Sequence, residues 1–121
     1  MTDTMTERCI DKYATHGERA MATKLVHDLL AAGCVLSVRD GYGSEGEWVV
    51  KKSADAAVIL DALASTDGDT LRARTMLGEH IGDCILIWGN AEDGSELLSD
   101  WQMVDSDSGR DLGALLETLI D

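Results

Sequence analysis

The stretch Cys84-Ile85-Leu86-Ile87-Trp88-Gly89-Asn90 decides the fold class of this chain. Its five consecutive apolar residues, rich in isoleucine, are typical of a β-strand that is buried on both faces. Gly89-Asn90 then ends the strand with residues that favour turns. The strand is predicted to begin at His80 or Ile81, with Gly82 as a bulge. We therefore expect this strand at the centre of a sheet.

Extended and helical patterns alternate on either side of this strand. Apolar residues recur at helical spacing in the segments 21–32, 54–64 and 108–119. The remaining predicted strands are 34–39, 47–52, 70–75 and 97–103. The order α-β-β-α-β-β-β-α predicts an α+β fold, with an antiparallel sheet of about five strands and helices packed mainly on one face.

Polar residues mark the ends of these helices and strands. Ser53 is the predicted N-cap of the second helix, and Ser108 with Asp111 resembles a capping box for the last one. Asp67-Gly68-Asp69 is predicted to be a turn. Residues 1–20 are polar and weakly patterned, so they are either an N-terminal extension or a short helix, and 21–121 is predicted to be a single domain.

Acidic residues dominate the charge of the chain, and they are concentrated towards its C terminus. The formal net charge is -13, and residues 76–121 contain eleven acids against one base, Arg110. Such a surface repels phosphate backbones and attracts basic surfaces, so direct nucleic-acid binding is not expected. The alternative is that the charge only keeps the protein soluble. The candidate partner-binding residues are Glu92, Asp93, Glu96, Asp100, Trp101, Asp105 and Asp107.

Signals for catalysis, metals and cofactors are weak. His80 and Cys84 lie four residues apart on a strand, about 13 Å, which is too far for one tetrahedral ion. Cys84 sits inside an apolar run, where a thiol stays protonated, and no phosphate-binding or dinucleotide-binding glycine motif opens a helix. We therefore expect no enzyme, no metal and no cofactor.

Cysteine usage and hydropathy indicate the compartment. Three cysteines, Cys9, Cys34 and Cys84, are an odd number without close pairing, which favours a reducing cytosol over a disulfide framework. No apolar run is long enough to span a membrane, and the N terminus has no apolar leader segment. A cytoplasmic location without membrane contact is therefore expected.

Several segments between residues 21 and 104 resemble small proteins of bacteriophages and prophages. They are SVRDG, EWVVKKS, ILDALASTDGDTLRAR, IGDCILIWGN and DGSELLSDW. The resemblance implies a phage-type origin and a host bacterial cytosol, and it assigns no role to individual residues.

The charge layout and the resemblance together favour a non-enzymatic interaction protein. The most specific version of this hypothesis is an inhibitor of a nucleic-acid-guided nuclease complex, of the anti-CRISPR or DNA-mimic kind. Carboxylates would occupy the lysine and arginine sites that otherwise hold phosphates. The alternative is a self-associating structural or regulatory module, with a homodimer formed through a sheet edge or the face of Trp101.

Overall fold

The structure, a computed structural model, describes residues 9–40, 47–64, 67–89, 92, 94 and 96–120. These residues form α1 (Cys9–Tyr13), α2 (His16–Ala31), β1 (Cys34–Asp40), β2 (Trp48–Ser53), α3 (Ala56–Ala62), β3 (Gly68–Thr75), β4 (His80–Ile87), β5 (Leu98–Met103) and α4 (Asp107–Ile120). The predicted α+β class is confirmed, because five antiparallel strands form one sheet and helices contact it.

The strands lie side by side in the order β2-β1-β3-β4-β5. The predicted central position of β4 is therefore wrong, because β3 lies at the centre and β4 is next to the edge. Burial on both faces is also wrong for this strand. Cys84 and Leu86 are buried, whereas Ile85 and Ile87 are only half-buried. The isoleucines lie on a face that is not covered by helices, so the apolar run over-predicted the burial.

One face of the sheet packs against the helices and forms the core. Val38 of β1, Leu71 of β3 and Cys84 of β4 lie side by side in register, and all three are fully buried. Helix side chains complete this core, and its fully buried members include Leu25, Leu29, Ile59 and Leu116. We call this side of the sheet the covered face.

The other side of the sheet, which we call the open face, carries larger polar side chains. Arg39 lies opposite Trp48 in the β1–β2 pair, and Arg72 lies opposite Asp83 in the β3–β4 pair. These side chains are half-buried, while their covered-face neighbours Val38, Ala73 and Cys84 are fully buried. The alternation of burial thus has a period of two residues, as expected for a sheet with one covered face.

Three helix starts differ from the sequence prediction. α2 begins at His16 rather than Met21, because Thr15 and Glu18 form a reciprocal capping box. Asp55 caps α3 in place of the predicted Ser53. At the start of α4, the Ser106 hydroxyl accepts the Gly109 N–H at 3.0 Å, a role that was predicted for Ser108.

The N-terminal segment, in the part that the structure describes, belongs to the same core as the rest. Ile10 of α1 is 1% exposed and Ala14 is 8% exposed, and both pack in the cluster formed by the sheet and the other helices. Glu18, in the first turn of α2, is also fully buried. Residues 9–20 are therefore helical along most of their length and pack into the domain.

Candidate functional site

The predicted partner-binding residues lie along β5 and the segments that flank it. Glu92 and Glu96 precede β5, Asp100 lies within it, Asp105 follows it, and Asp107 is the first residue of α4. All five are exposed. Asp93, the remaining predicted acid, lies outside the described residues. We call Glu92, Glu96, Asp100, Asp105 and Asp107 the anionic edge.

The anionic edge is a line of charges and not a cluster. β5 has six residues, so its two ends are about 17 Å apart. One end is attached to α2, because the carbonyl of Glu92 accepts the Gly17 N–H at 2.9 Å and the Thr15 hydroxyl at 3.3 Å. Acids on both sides of a strand of this length suit several separate cations better than a single ion, and no three of the described acids lie close enough together to hold a metal ion.

Arg110 partly neutralises one end of the anionic edge. Its guanidinium group hydrogen-bonds Asp105 at 3.2 Å and also contacts Asp107. The Asp105 and Asp107 side chains remain 99% and 94% exposed, so water screens these pairs. Both carboxylates therefore stay accessible to a competing cation.

Asp100 and Trp101 point to opposite faces of the sheet. Asp100 is paired with Ile85 of the open face, whereas Trp101 is paired with Cys84 of the covered face. The Asp100 carboxylate also accepts the backbone N–H of Trp101 at 2.8 Å. This bond occupies a donor on the outer side of β5 that another strand would need for pairing.

A groove of about 490 Å³ lies beside Trp101, between β5 and α4. Met103 of β5 and Gly113 and Ala114 of α4 form part of its wall, while Asp105, Arg110 and Glu117 supply its charged groups. Trp101 itself is half-buried, with one part of the indole available to the groove. The groove adds an apolar surface at the Asp105 end of the anionic edge.

Small residues on α4 create this groove. A Cβ atom at Gly109 would overlap the carbonyl group of Val104, so only glycine allows α4 to approach the end of β5. Gly113 is different, because a Cβ there would lie 3.6 Å from Met103 Cγ, an ordinary van der Waals contact. Gly113 therefore keeps the groove open without being required by the backbone.

A second charged surface lies on the open face. Four bases of this surface, Lys51, Lys52, Arg72 and Arg74, lie on β2 and β3, and cross-strand pairing with acids is the ordinary role of such residues. That role holds for Arg72, which binds Asp83 in a bidentate pair at 2.8 and 3.1 Å. Burial works to raise the pKa of Asp83, but hydrogen bonds from Arg72 and His80 outweigh it and lower that pKa.

Asp69 is the strongest candidate for an acid–base residue, and the sequence missed it. The predicted turn at 67–69 is wrong, because Gly68 and Asp69 begin β3 and Asp69 is fully buried. Burial raises its pKa to about 6, against hydrogen bonds from the Ala64 N–H and the Trp88 indole that lower it. Its Oδ2 accepts the Ala64 N–H at 2.9 Å and the Trp88 indole N–H at 2.8 Å, so Asp69 holds Trp88 and the end of α3 to β3.

The described cysteine and histidine side chains form no metal-binding group. Burial raises the pKa of Cys84 to about 12 and also raises that of Cys34, so both thiols are unreactive at neutral pH. Within the described segments, no three His, Cys, Asp or Glu residues lie close enough together to hold a metal ion. No helix in the same part of the chain is both long and apolar enough to cross a membrane.

Comparison with known proteins adds no family assignment. No family model, no curated protein and no solved structure matches this chain.

Proposed function

We propose that this protein is a non-enzymatic binding protein that holds a positively charged protein surface on its anionic edge. The observation that carries this proposal is the groove beside Trp101, which combines an indole with the carboxylates of Asp105 and Glu117. An aromatic side chain in a concave site, ringed by charged residues, is the usual composition of an interface hot spot.

The groove suits a lysine or arginine side chain of the partner. The aliphatic part of such a side chain can pack on the Trp101 indole, and its cationic end can reach Asp105 or Glu117. Asp100, Glu92 and Glu96 would then meet further cations along the edge. Electrostatic attraction of this kind speeds association and makes the affinity sensitive to salt.

The specific form that we propose is competition with nucleic acid. Carboxylates placed before, within and after a strand about 17 Å long can occupy lysine and arginine sites that otherwise hold successive phosphates. The target class is a nucleic-acid-guided nuclease complex of a bacterial host, and the protein would be an inhibitor of the anti-CRISPR or DNA-mimic kind. Residues 76–121 hold eleven of the 23 acids but only one base, so most of the net charge lies in this segment, which favours this form.

Self-association is the second candidate, and features at both sheet edges oppose it. At β5, the Asp100 carboxylate occupies the N–H of Trp101. At β2, two register shifts and the exposed Lys51 and Lys52 interrupt the outer edge. Bulges and charges of this kind prevent strand-to-strand pairing. Of the two dimer surfaces proposed from the sequence, a sheet edge and the face of Trp101, these features favour the face of Trp101.

The test is displacement of a labelled guide or target oligonucleotide from a nucleic-acid-guided nuclease complex, followed by fluorescence anisotropy at low and at high salt. We expect displacement at low salt that weakens as salt rises. Trp101→Ala should weaken the inhibition by at least about tenfold, as loss of a hot-spot side chain does. Asp105→Lys should weaken it further by adding a repulsive charge.

Asp61→Lys is the matched control, because Asp61 is an exposed residue of α3 and the change in net charge is the same. This variant should inhibit as well as the unmodified protein. Equal losses for Asp61→Lys and Asp105→Lys would mean that total charge, and not the anionic edge, governs binding. A complete lack of affinity for the nuclease complex at low salt would exclude that complex as the target.

A further inference from the structure

Half of the basic residues of this acidic chain lie on the open face of the sheet. The chain has ten Lys and Arg residues, and five of them lie on the three neighbouring strands β1, β2 and β3. We call this group the cationic face, and its members are Arg39, Lys51, Lys52, Arg72 and Arg74. Like charges at such short range repel one another, and this repulsion offsets part of what the Arg72–Asp83 pair and the contacts with Trp48 contribute to stability.

A cavity of about 170 Å³ lies on the cationic face. Its charged lining residues are all bases, namely Lys51, Lys52, Arg72 and Arg74, and the Trp48 indole and the Ser37 hydroxyl complete it. A site of this composition has five or more N–H donors and no carboxylate among its lining residues. A lining of this charge favours an anion over a cation, and the small volume suits a compact group.

The local backbone places both lysines at this cavity. The β1–β2 pairing shifts register between Leu36 and Val38, so two residues of β2 lie opposite Ser37. The Ser37 hydroxyl accepts the Lys52 N–H at 2.9 Å, and Lys52 adopts a left-handed conformation with φ 51°. A bulge of this kind redirects side chains, and bulges recur next to functional sites.

The Trp48 indole forms an apolar wall of the cavity and contacts two guanidinium groups. The guanidinium carbons of Arg39 and Arg72 each lie 5.0 Å from the centre of its ring. The Nε of Arg39 is buried and has no hydrogen-bond partner in the described part of the chain. Neither Lys51 nor Lys52 forms an ion pair with another described residue. Folding therefore leaves the two lysine ammonium groups and the Arg39 Nε without a partner among the described residues, whereas Arg72 binds Asp83 and Arg74 donates to the Gly78 carbonyl at 3.0 Å.

We infer that the cationic face binds a small ligand through a phosphate group. Four cations around one cavity exceed what a single carboxylate requires, whereas a phosphomonoester or pyrophosphate carries two or more charges on a compact group. Guanidinium forks match phosphate oxygens in geometry, and lysine supplies point charges to them. The indole wall excludes water on one side and strengthens these interactions.

A long nucleic acid is a poorer fit for the same face. The net charge of -13 repels an extended polyanion, while a compact anion meets only the local field of the cavity. The inference does not rest on the proposed function, because the cationic face lies on β1–β3 and the anionic edge lies on β5. Variants of one surface leave the residues of the other unchanged.

The test is isothermal titration calorimetry of the full chain with pyrophosphate at low ionic strength. Citrate serves as a polycarboxylate probe, and a 12-nucleotide single strand serves as a nucleic-acid probe. We expect saturable binding of pyrophosphate with a stoichiometry of one. The double variant Lys51→Gln, Lys52→Asn should weaken it at least about tenfold, since two charge-assisted contacts are removed. Asparagine is chosen at 52 because it tolerates the left-handed conformation.

Two further variants keep the inference testable. Lys24→Gln is the matched control, because Lys24 is an exposed lysine of α2 that pairs with Asp28, and it should bind pyrophosphate normally. Asp83→Asn should bind it several-fold more tightly, because the Arg72 guanidinium is released from its bidentate partner. Unchanged denaturation midpoints would show that each variant is folded.

Four results would overturn the inference. They are an absence of saturable pyrophosphate binding, equal binding of citrate, tighter binding of the oligonucleotide than of pyrophosphate, and equal losses in the lysine double variant and in Lys24→Gln. The third result would assign the face to nucleic acid instead. Loss of nuclease inhibition with intact pyrophosphate binding would contradict only the proposed function.

Discussion

Carboxylates serve opposite purposes at two places in this molecule. Glu18 and Asp69 are fully buried near Trp88 and Gly89, where both accept hydrogen bonds from donors that the fold provides. Asp105 and Asp107 of the anionic edge are almost completely exposed and share one guanidinium group. The same chemical group thus holds elements together in the first place and remains available to a partner in the second.

The difference follows from hydration. A buried carboxylate has lost its water, so every donor that points at it becomes structurally important, and removal of the carboxylate leaves those donors unpaired. An exposed carboxylate keeps its water and contributes little to the free energy of unfolding. A count of acids along the sequence treats both kinds alike. We therefore expect substitutions in the two regions to separate stability from binding.

The largest effect should come from Glu18→Ala. The Glu18 carboxylate accepts the Gly89 N–H at 2.8 Å and the Thr15 N–H at 3.0 Å, which ties α2 to the end of β4. Loss of this acceptor should lower the free energy of unfolding by about 4 kcal/mol. Urea denaturation measures this change. Glu117→Ala, at an exposed position of α4, is the control. Equal losses in the two variants would contradict the distinction between buried and exposed acids.

The next effect concerns Asp69 and pH. Its pKa rises from 3.8 to about 6 in the folded protein, mainly because burial penalises the charged form. The folded chain therefore binds this proton more tightly than the unfolded chain. The resulting contribution, on the order of 3 kcal/mol, is complete below about pH 4 and is lost as the pH rises through about 6.

Asp69→Asn should remove this pH dependence, because asparagine resembles the protonated acid. The difference in unfolding free energy between the two proteins should favour the unmodified chain near pH 4 and shrink or reverse near pH 7. Thermal unfolding at a series of pH values measures it. A difference that stays constant between pH 4 and pH 7 would show that Asp69 titrates normally.

A smaller effect is expected at the groove. Gly113→Ala adds a methyl group at ordinary contact distance from Met103 and improves the helix propensity of α4. We expect the free energy of unfolding to rise by about 0.5–1 kcal/mol while nuclease inhibition weakens, because the groove becomes narrower. Parallel denaturation and displacement measurements test both parts. Improved stability with unchanged inhibition would exclude the groove as the anchor site.

The smallest effect on stability should follow Asp105→Asn combined with Asp107→Asn. Both side chains are highly exposed, and Ser106 still caps α4 in this variant. The denaturant midpoint should not change measurably, whereas the salt dependence of nuclease inhibition should become shallower. A clear loss of stability would mean that the Arg110 pairs do contribute to folding.

The sequence predicted the strands well, because alternation of burial along a strand depends only on local order. Thr15-His-Gly-Glu18 also contained a capping-box pattern that would have placed the start of α2 correctly. Asp69 was missed because Asp-Gly-Asp favours a turn, and its partners Ala64 and Trp88 come together only through folding.

The candidate site was predicted only in part. The acidic residues of the anionic edge were identified from composition, but the groove requires that β5 and α4 meet at Gly109. Similarly, Lys51, Lys52, Arg72 and Arg74 were visible as a cluster, whereas Arg39 joined it only through the register of β1 with β2. Such long-range pairings leave no local pattern in the chain.

The irregular edge strands β2 and β5 matter most at the pH where the net charge of the protein is zero. Near its isoelectric point of about 4.4, molecules of this chain no longer repel one another, and many small β-rich proteins would stack into fibrils under such conditions. Here the bulges of β2 and the side-chain carboxylate at Trp101 still obstruct the growth of a continuous ladder. Precipitation in weak acid should therefore be amorphous and should reverse when the solution is neutralised.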